Sequence, residues 1–233
     1  MPEGLLQAAA VVVPAHNEAA GIGDCLRAVA AASLPVARAG VTVEVVVVAD
    51  SCTDATADIA RAAGVHVLEV QAGSVGAARA TGCAQALRVL DGLPRQSSWL
   101  AMTDADSIVP GDWLSTQVRI AAAGYQAAAG LVCLDGTSPT HVAQRWDAAY
   151  EVSRASSWLH DRVHGANLGV RADAYRRVGG FDAVSAHEDV RLVRRLQATG
   201  RPVAWPDRPV VTTSARMCGR ATAGLAADLR RLA

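Results

Sequence analysis

Two aspartates one residue apart, Asp104 and Asp106, follow the apolar run Trp99-Leu100-Ala101-Met102 and precede a turn at Pro110-Gly111. Carboxylates at the end of a buried strand offer hard oxygen donors to Mg²⁺ or Mn²⁺, ions that complete their shells with water and substrate phosphates. At the curling end of a strand both carboxylates of a D-x-D can converge on one ion. The competing use of the same residues is a turn or a helix cap. A second acidic pair, Glu188-Asp189, opens a helical pattern closed by Gly200. A carboxylate there can accept a proton, and the like charge beside it would raise its pKa. Ser185, Glu188 and Asp189 would equally serve as an acidic first helical turn. Polar clusters follow two more apolar runs, as Pro14-Ala15-His16-Asn17-Glu18 and Asp50-Ser51-Cys52-Thr53-Asp54.

These residues need a scaffold that brings strand ends together. Short Val-rich runs alternate with Ala-rich helical patterns through the first half of the chain, which predicts βαβ units and a mainly parallel α/β sheet flanked by helices. Strands are expected at Val11-Val13, ending at Pro14, and at Val43-Val48, Val65-Val70 and Trp99-Met102. Helices are expected from Asn17-Glu18 to about Ala32, from Thr53-Asp54 to about Ala63, and from Val75 to Leu90. Ligands of open α/β sheets bind at the carboxyl ends of strands, so the three polar clusters are expected to share one crevice. The second half is less regular: a strand over Gln126-Leu134, helices over His141-Leu159, Ala172-Val178 and Glu188-Thr199, and a final Ala-rich helix. One domain is expected, with only a mild boundary near Gly136-Pro139.

With 233 residues the chain can bury roughly three-quarters of its unfolded surface and needs no staple. Its 22 basic residues are all arginine and balance 22 acidic ones, so it lacks the basic excess that nucleic acid or an anionic membrane favours. The absence of lysine, with alanine at about a fifth of positions, reads as the bias of a GC-rich source. It leaves arginine, histidine or metal as the means of clamping phosphate. Five scattered cysteines without C-x-x-C spacing read as reduced thiols of a cytoplasmic protein. Met1 to Ala10 has no basic n-region, so a secretory signal is not expected, and no apolar run approaches the ~20 residues of a membrane span. Peripheral membrane contact through Ala- and Leu-rich faces stays open, as does the oligomeric state.

In order and spacing these motifs resemble the inverting family-2 glycosyltransferases of the GT-A fold. The resemblance runs from Val11 to about Gly200 and includes Gly76-Ala77-Ala78-Arg79, Gly165-Ala166-Asn167 and Gly179-Gly180-Phe181. It implies a nucleotide-diphosphate sugar donor, a UDP- or GDP-sugar, and a donor-binding half (1–110) joined to an acceptor and catalytic half (111–233). It also implies roles for particular residues. Pro14, Ala15, His16, Asn17 and Glu18 would form the base and ribose pocket, Asp50 would read the base, and Arg79 would lie near base and diphosphate. Ala166 and Asn167 would complete the nucleotide-sugar site. Asp104, with Ala105 beside it, would touch ribose or metal, while Asp106 would hold the Mn²⁺ or Mg²⁺ that neutralises the diphosphate. Asp189 would be the catalytic base, with Glu188 next to it. Ala49 stands where many relatives carry another Asp.

His164 and His187 would flank the acceptor, and Trp113, Trp146, Trp158 and Trp205 offer faces for sugar stacking or simply fill the core. Arg216 and Arg220 occupy the tail position of a segment that closes over the diphosphate in related enzymes. The acceptor, a small molecule or a lipid-linked one, would be recognised from about Leu131 to Asp161. The competing readings are a retaining GT-A transferase, a sugar nucleotidyltransferase, whose Gly-rich phosphate loop is replaced here by Pro-Ala-His-Asn-Glu, and a non-catalytic nucleotide-sugar-binding module.

Overall fold

A computed structural model describes residues 6–137, 139–146, 148, 162–216 and 225–233. Its centre is β1 (Ala8–Ala15), every residue of which is buried. Alternation of side chains along this strand feeds two cores. Val11 and Val13 pack with the apolar stripe of α1 (Ile22–Arg38) and with Trp113 and Leu114 at the start of α4 (Trp113–Ala122). Ala8, Ala10 and Val12 pack on the opposite face with Ala78, Cys83 and Ala86 of α3 (Val75–Val89). A strand covered on both faces needs the unbroken apolar run this one has. The helix on the second face lies unusually close: a Cβ on Gly82 would stand 2.4 Å from Val12 Cγ1 and 2.9 Å from Val48 Cγ2, so only glycine fits.

The main sheet has seven strands in the order β3-β2-β1-β4-β8-β6-β9. Its parallel part consists of β1, β2 (Thr42–Asp50), β3 (His66–Val70) and β4 (Ser98–Met102); β8 (Leu168–Arg171) runs antiparallel between β4 and β6 (Ala127–Ala129), and β9 (Val203–Ala204) pairs with β6. The chain builds outward from β1 to β3 on one side and then places β4 on the other. Between β1 and β4 the order therefore switches, which opens a crevice beyond their carboxyl ends. A small sheet, β5 (Ser107–Ile108), β10 (Val211–Thr213) and β7 (Val132–Leu134), closes one wall.

Several boundaries differ from expectation for identifiable reasons. Pro14 lies inside β1, in register with Val48, because β4 pairs with β1 only as far as Val12 and no neighbour there requires its missing N–H. The first helix starts at Ile22 because Asn17 takes a left-handed backbone (φ 55) and a turn on the Glu18 carbonyl intervenes; it runs on through Pro35 to Arg38. The expected strand over Gln126-Leu134 is two strands in different sheets. At the break, Gly130 donates to the Asn167 carbonyl, and a Cβ there would meet the Asn167 side chain at 2.4 Å. Of the expected helix His141-Leu159, residues 140–146 and 148 are helical, and the rest, Trp158 included, lies outside the described residues. The helices α2 (Thr56–Ala62), α5 (Ala172–Arg177), α6 (Glu188–Ala198) and α7 (Leu225–Leu232) complete the fold.

Candidate functional site

A cavity of about 320 Å³ lies beyond the ends of β1 and β4 and is lined by Pro14, Ala15, His16, Glu18, Arg79 and Asp104 through Asp106 on one side. Gly165, Ala166, His187, Glu188 and Asp189 face it from the other. Sites over a hundred residues apart in sequence thus share one space.

The aspartate pair curls as a strand-end pair must. After Met102 the chain turns, with Ser107 N–H donating to the Asp104 carbonyl at 3.0 Å, so both carboxylates face the cavity. Asp106 is largely buried, and burial, with Asp104 nearby, raises its carboxyl to about 6. Arg216 opposes that rise from 3.1 Å. Arg216 reaches this place because β10 pairs antiparallel with β5, setting Thr213 opposite Ser107. Its guanidinium forms a two-pronged ion pair with Glu18, with Nη1 donating to Oε2 at 2.8 Å. Arg220 lies outside the described residues.

A carboxyl that moves from an ordinary 3.8 to about 6 on folding makes the folded state the stronger proton binder between those values, so stability falls as pH rises through that window. With both states ionised the cost is about 3 kcal/mol. Asp106→Asn should therefore be more stable than the natural chain at pH 7, with an advantage that grows from pH 4 to pH 7. Urea midpoints across that range measure it; a pH-independent difference would mean Asp106 carries no such cost.

Arg79 sits deeper. Its buried guanidinium bridges Asp104 and Glu188, the two acidic pairs that the sequence keeps apart. Burial alone would lower its pKa, but Asp104 and Glu188 more than offset this and hold it well above the usual guanidinium value. Gly165 makes room for the fork: a Cβ there would lie 2.2 Å from the guanidinium carbon. Arg79 lines the cavity, and its guanidinium there pairs with carboxylates; the place near base and diphosphate is what the resemblance implies.

The second acidic pair starts α6 immediately after His187, which has a left-handed backbone (φ 62). Such a conformation is uncommon for histidine and is held by its surroundings. It turns Glu188 inward to Arg79 and sets Asp189 on the cavity wall. Asp189 accepts from the backbone N–H of Gly165 at 2.7 Å and of Val190 at 2.8 Å, which fixes the carboxylate plane. Burial pushes its pKa up against the pull of Arg79; Glu188 is raised likewise, first by burial, with Asp189 contributing. The main cause is therefore burial, not the like charge expected from adjacency.

Three expected site residues do not line the cavity. Asn167 is buried behind it: its Oδ1 accepts from Trp113 Nε1 at 2.9 Å, and its Nδ2 donates to the carbonyls of Leu131 and Pro209. Its amide ties the two sheets together. Asn17 is exposed, its Oδ1 accepting from Thr53 N–H at 2.7 Å, and its N–H donates to Cys52 Sγ. Asp50 lies at the base of the neighbouring loop, accepting from Ala72 N–H at 2.7 Å and Gly73 N–H at 3.2 Å, so it shapes a wall it does not face. The cluster from Asp50 to Asp54 mostly braces the end of β1: Asp54 accepts from Ala19 N–H and Thr56 Oγ1 from Glu18 N–H.

His164 and His187 both line the cavity, as do Ser185, which the sequence offers as part of an acidic helical turn, and Ser74, Thr213 and Asp228. Ser74 carries a recognisable signal as the cap of α3, accepting from Ala77 N–H. Trp113 is core, and Trp146 lies tilted against His164, ring centroids 5.9 Å apart, with the Arg162 guanidinium over its ring. The described cysteines are free thiols. No described helix is long and apolar enough to cross a membrane.

A family model described as "Glycosyltransferase like family 2" matches residues 7–229. Among solved structures, the mannosyltransferase PcManGT from Pyrobaculum calidifontis, in complex with GDP-Man and Mn²⁺, superposes with a TM-score of 0.65 at 22% identity, covering 91% of this chain and 58% of that one. TarS from S. aureus gives 0.64 at 16% identity, covering 88% and 36%. Glucosyl-3-phosphoglycerate synthase from Mycobacterium tuberculosis, in complex with Mg²⁺ and UDP, gives 0.62 at 18% identity, covering 90% and 72%. These identities establish a shared fold, and the chain spans little more than half of the first structure and about a third of the second. No curated protein matches.

Proposed function

The chain belongs to the glycosyltransferase-like family 2, and from that premise we propose that it moves a sugar from a nucleotide-diphosphate donor to an acceptor hydroxyl with inversion, as one domain with a donor half (1–110) and an acceptor half (111–233). The observation that carries this reading is the meeting of Asp104, Asp106 and Asp189 around one cavity at the switch point of the sheet. The similar structures that hold GDP-Man with Mn²⁺ or UDP with Mg²⁺ support a UDP- or GDP-sugar donor.

The donor's base and ribose would lie against Pro14 to Glu18 and the Gly73-Ser74 loop, the diphosphate toward Asp106. The carboxylates there suit a hard cation, and the guanidinium already lodged between Glu18 and Asp106 marks the place as one that accepts positive charge. Among the described residues no group of three His, Cys, Asp or Glu side chains forms a complete metal site, so water and diphosphate oxygens would supply the remaining ligands. Bound there, Mn²⁺ or Mg²⁺ would neutralise the charge that develops on the leaving diphosphate. Asp189, oriented by two backbone N–H groups and made more basic by burial, would take the proton of the acceptor hydroxyl as its oxygen attacks the anomeric carbon. Glu188, held by Arg79, would position it. Ser185, His164 and His187 would face the acceptor, a small molecule or the head of a lipid-linked one. A cytoplasmic setting fits a nucleotide-sugar donor.

Asp106→Ala tests the donor site. Calorimetric titration should give Mn²⁺-dependent binding of UDP or GDP to the natural chain and at least a tenfold loss in the variant, about 1.4 kcal/mol or more. Unchanged affinity would remove Asp106 from the site. The anomer of the product, the opposite of the donor's, checks inversion; a retained configuration would favour the retaining alternative.

A further inference from the structure

Arg216 stands in an unusual place for a cation. It crosses from the end of the small sheet to a two-pronged pair with Glu18 and a 3.1 Å contact with Asp106, the carboxylate expected to serve the donor's metal. The two sides of this cluster are unequal in exposure. The arginine side chain is 45% exposed, whereas those of Glu18 and Asp106 are 10% and 18% exposed. The anionic partners belong to the ends of β1 and β4, and the cation reaches them from the solvent side. Its backbone is anchored independently: Ala215 N–H donates to Asp135 and Arg216 N–H to Ser214 Oγ. The side chain can therefore leave without unravelling β10.

Charge explains why it is there. Glu18, Asp104, Asp106, Glu188 and Asp189 all face one cavity, and Arg79 is already spent on Asp104 and Glu188. Among the described residues, Arg216 is the cation paired with Glu18 and Asp106.

We propose that Arg216 is an internal competitor for the divalent cation: its guanidinium holds Glu18 and Asp106 together, and it must release Asp106 before a metal and diphosphate can bind there. The released fork suits a diphosphate, since guanidinium makes paired charge-assisted hydrogen bonds to phosphate oxygens. One side chain thus shields the carboxylates before loading and becomes available to the donor after it. This inference rests on the donor-site reading of the same cavity.

The test is Mn²⁺ binding without nucleotide, read on the full chain from the electron paramagnetic resonance signal of free aqueous Mn²⁺. A competitor that fills the site nine-tenths of the time weakens apparent affinity about tenfold. Arg216→Ala and Arg216→Gln should each bind Mn²⁺ about tenfold more tightly than the natural chain, and Asp106→Ala should abolish the gain when combined with either. Two substitutions of different size keep the test valid if one perturbs folding. Equal or weaker Mn²⁺ affinity in both variants, with Mn²⁺-dependent nucleotide binding intact in the natural chain, would overturn the competitor role and leave the donor site standing. Absence of Mn²⁺ binding in every protein, with UDP and GDP as well as without, would overturn both.

Discussion

Asp189→Asn should lower the rate of sugar transfer by about 10² to 10⁴, the usual worth of a positioned general base, while Mn²⁺-dependent binding of the nucleotide changes less than twofold. The carboxylate faces the cavity from the start of α6 and accepts hydrogen bonds from Gly165 and Val190. An amide of the same shape keeps one of those acceptors and loses the ability to take a proton. Glu188 cannot substitute, because its carboxylate is buried against Arg79. Single-turnover assays beside nucleotide titrations separate the two effects. A variant that retains a tenth or more of the natural rate would remove Asp189 from proton transfer.

Arg79→Ala should destabilise the protein by about 3–5 kcal/mol, the cost of stripping the partner from a buried ion. Glu188, whose side chain is 3% exposed in the natural chain, would lose its paired cation, and Asp104 would lose the contact that aims it. The buried charge, not the missing contact, dominates that cost. Replacing both members of the buried pair by apolar residues, Arg79→Leu with Glu188→Leu, should therefore recover much of the stability lost by Arg79→Ala alone. Chemical denaturation of the single and double variants measures both. A loss below 1 kcal/mol in Arg79→Ala would show that water reaches Glu188 and that the bridge is dispensable.

Periodicity served best where one face of an element meets one core. Ile22, Leu26 and Val29, at helical spacing, all lie on the buried face of α1, and of the expected strand Val43-Val48 the part from Val46 is buried in β2. It served poorly where long-range partners decide. Nothing local to Gln126-Leu134 reveals that Asn167 will wedge the chain apart at Gly130, because that residue arrives from 37 positions away. The acidic pairs were visible from type and spacing, and so was a crevice at the strand ends. The bridge between them was not: that Arg79 spends its charge on Asp104 and Glu188 depends on how α3 docks against Gly165. The same holds for Asn17 and Asp50, polar residues at strand ends whose side chains face neighbouring backbone instead of the cavity. Arg216 was recognisable as a tail cation, but its partners Glu18 and Asp106 follow only from the pairing of β10 with β5.

The most direct test of a metal-dependent nucleotide-diphosphate site is the thermal unfolding of the chain with UDP, GDP, TDP and CMP, each in Mn²⁺ and in chelator. A ligand at a hundred times its dissociation constant adds about 2.7 kcal/mol to the stability of the folded state, a readily measured rise in melting temperature. The predicted result is a rise with UDP or GDP that disappears in chelator. No rise with any nucleotide, or one that chelator leaves unchanged, would contradict the site and the transfer built on it.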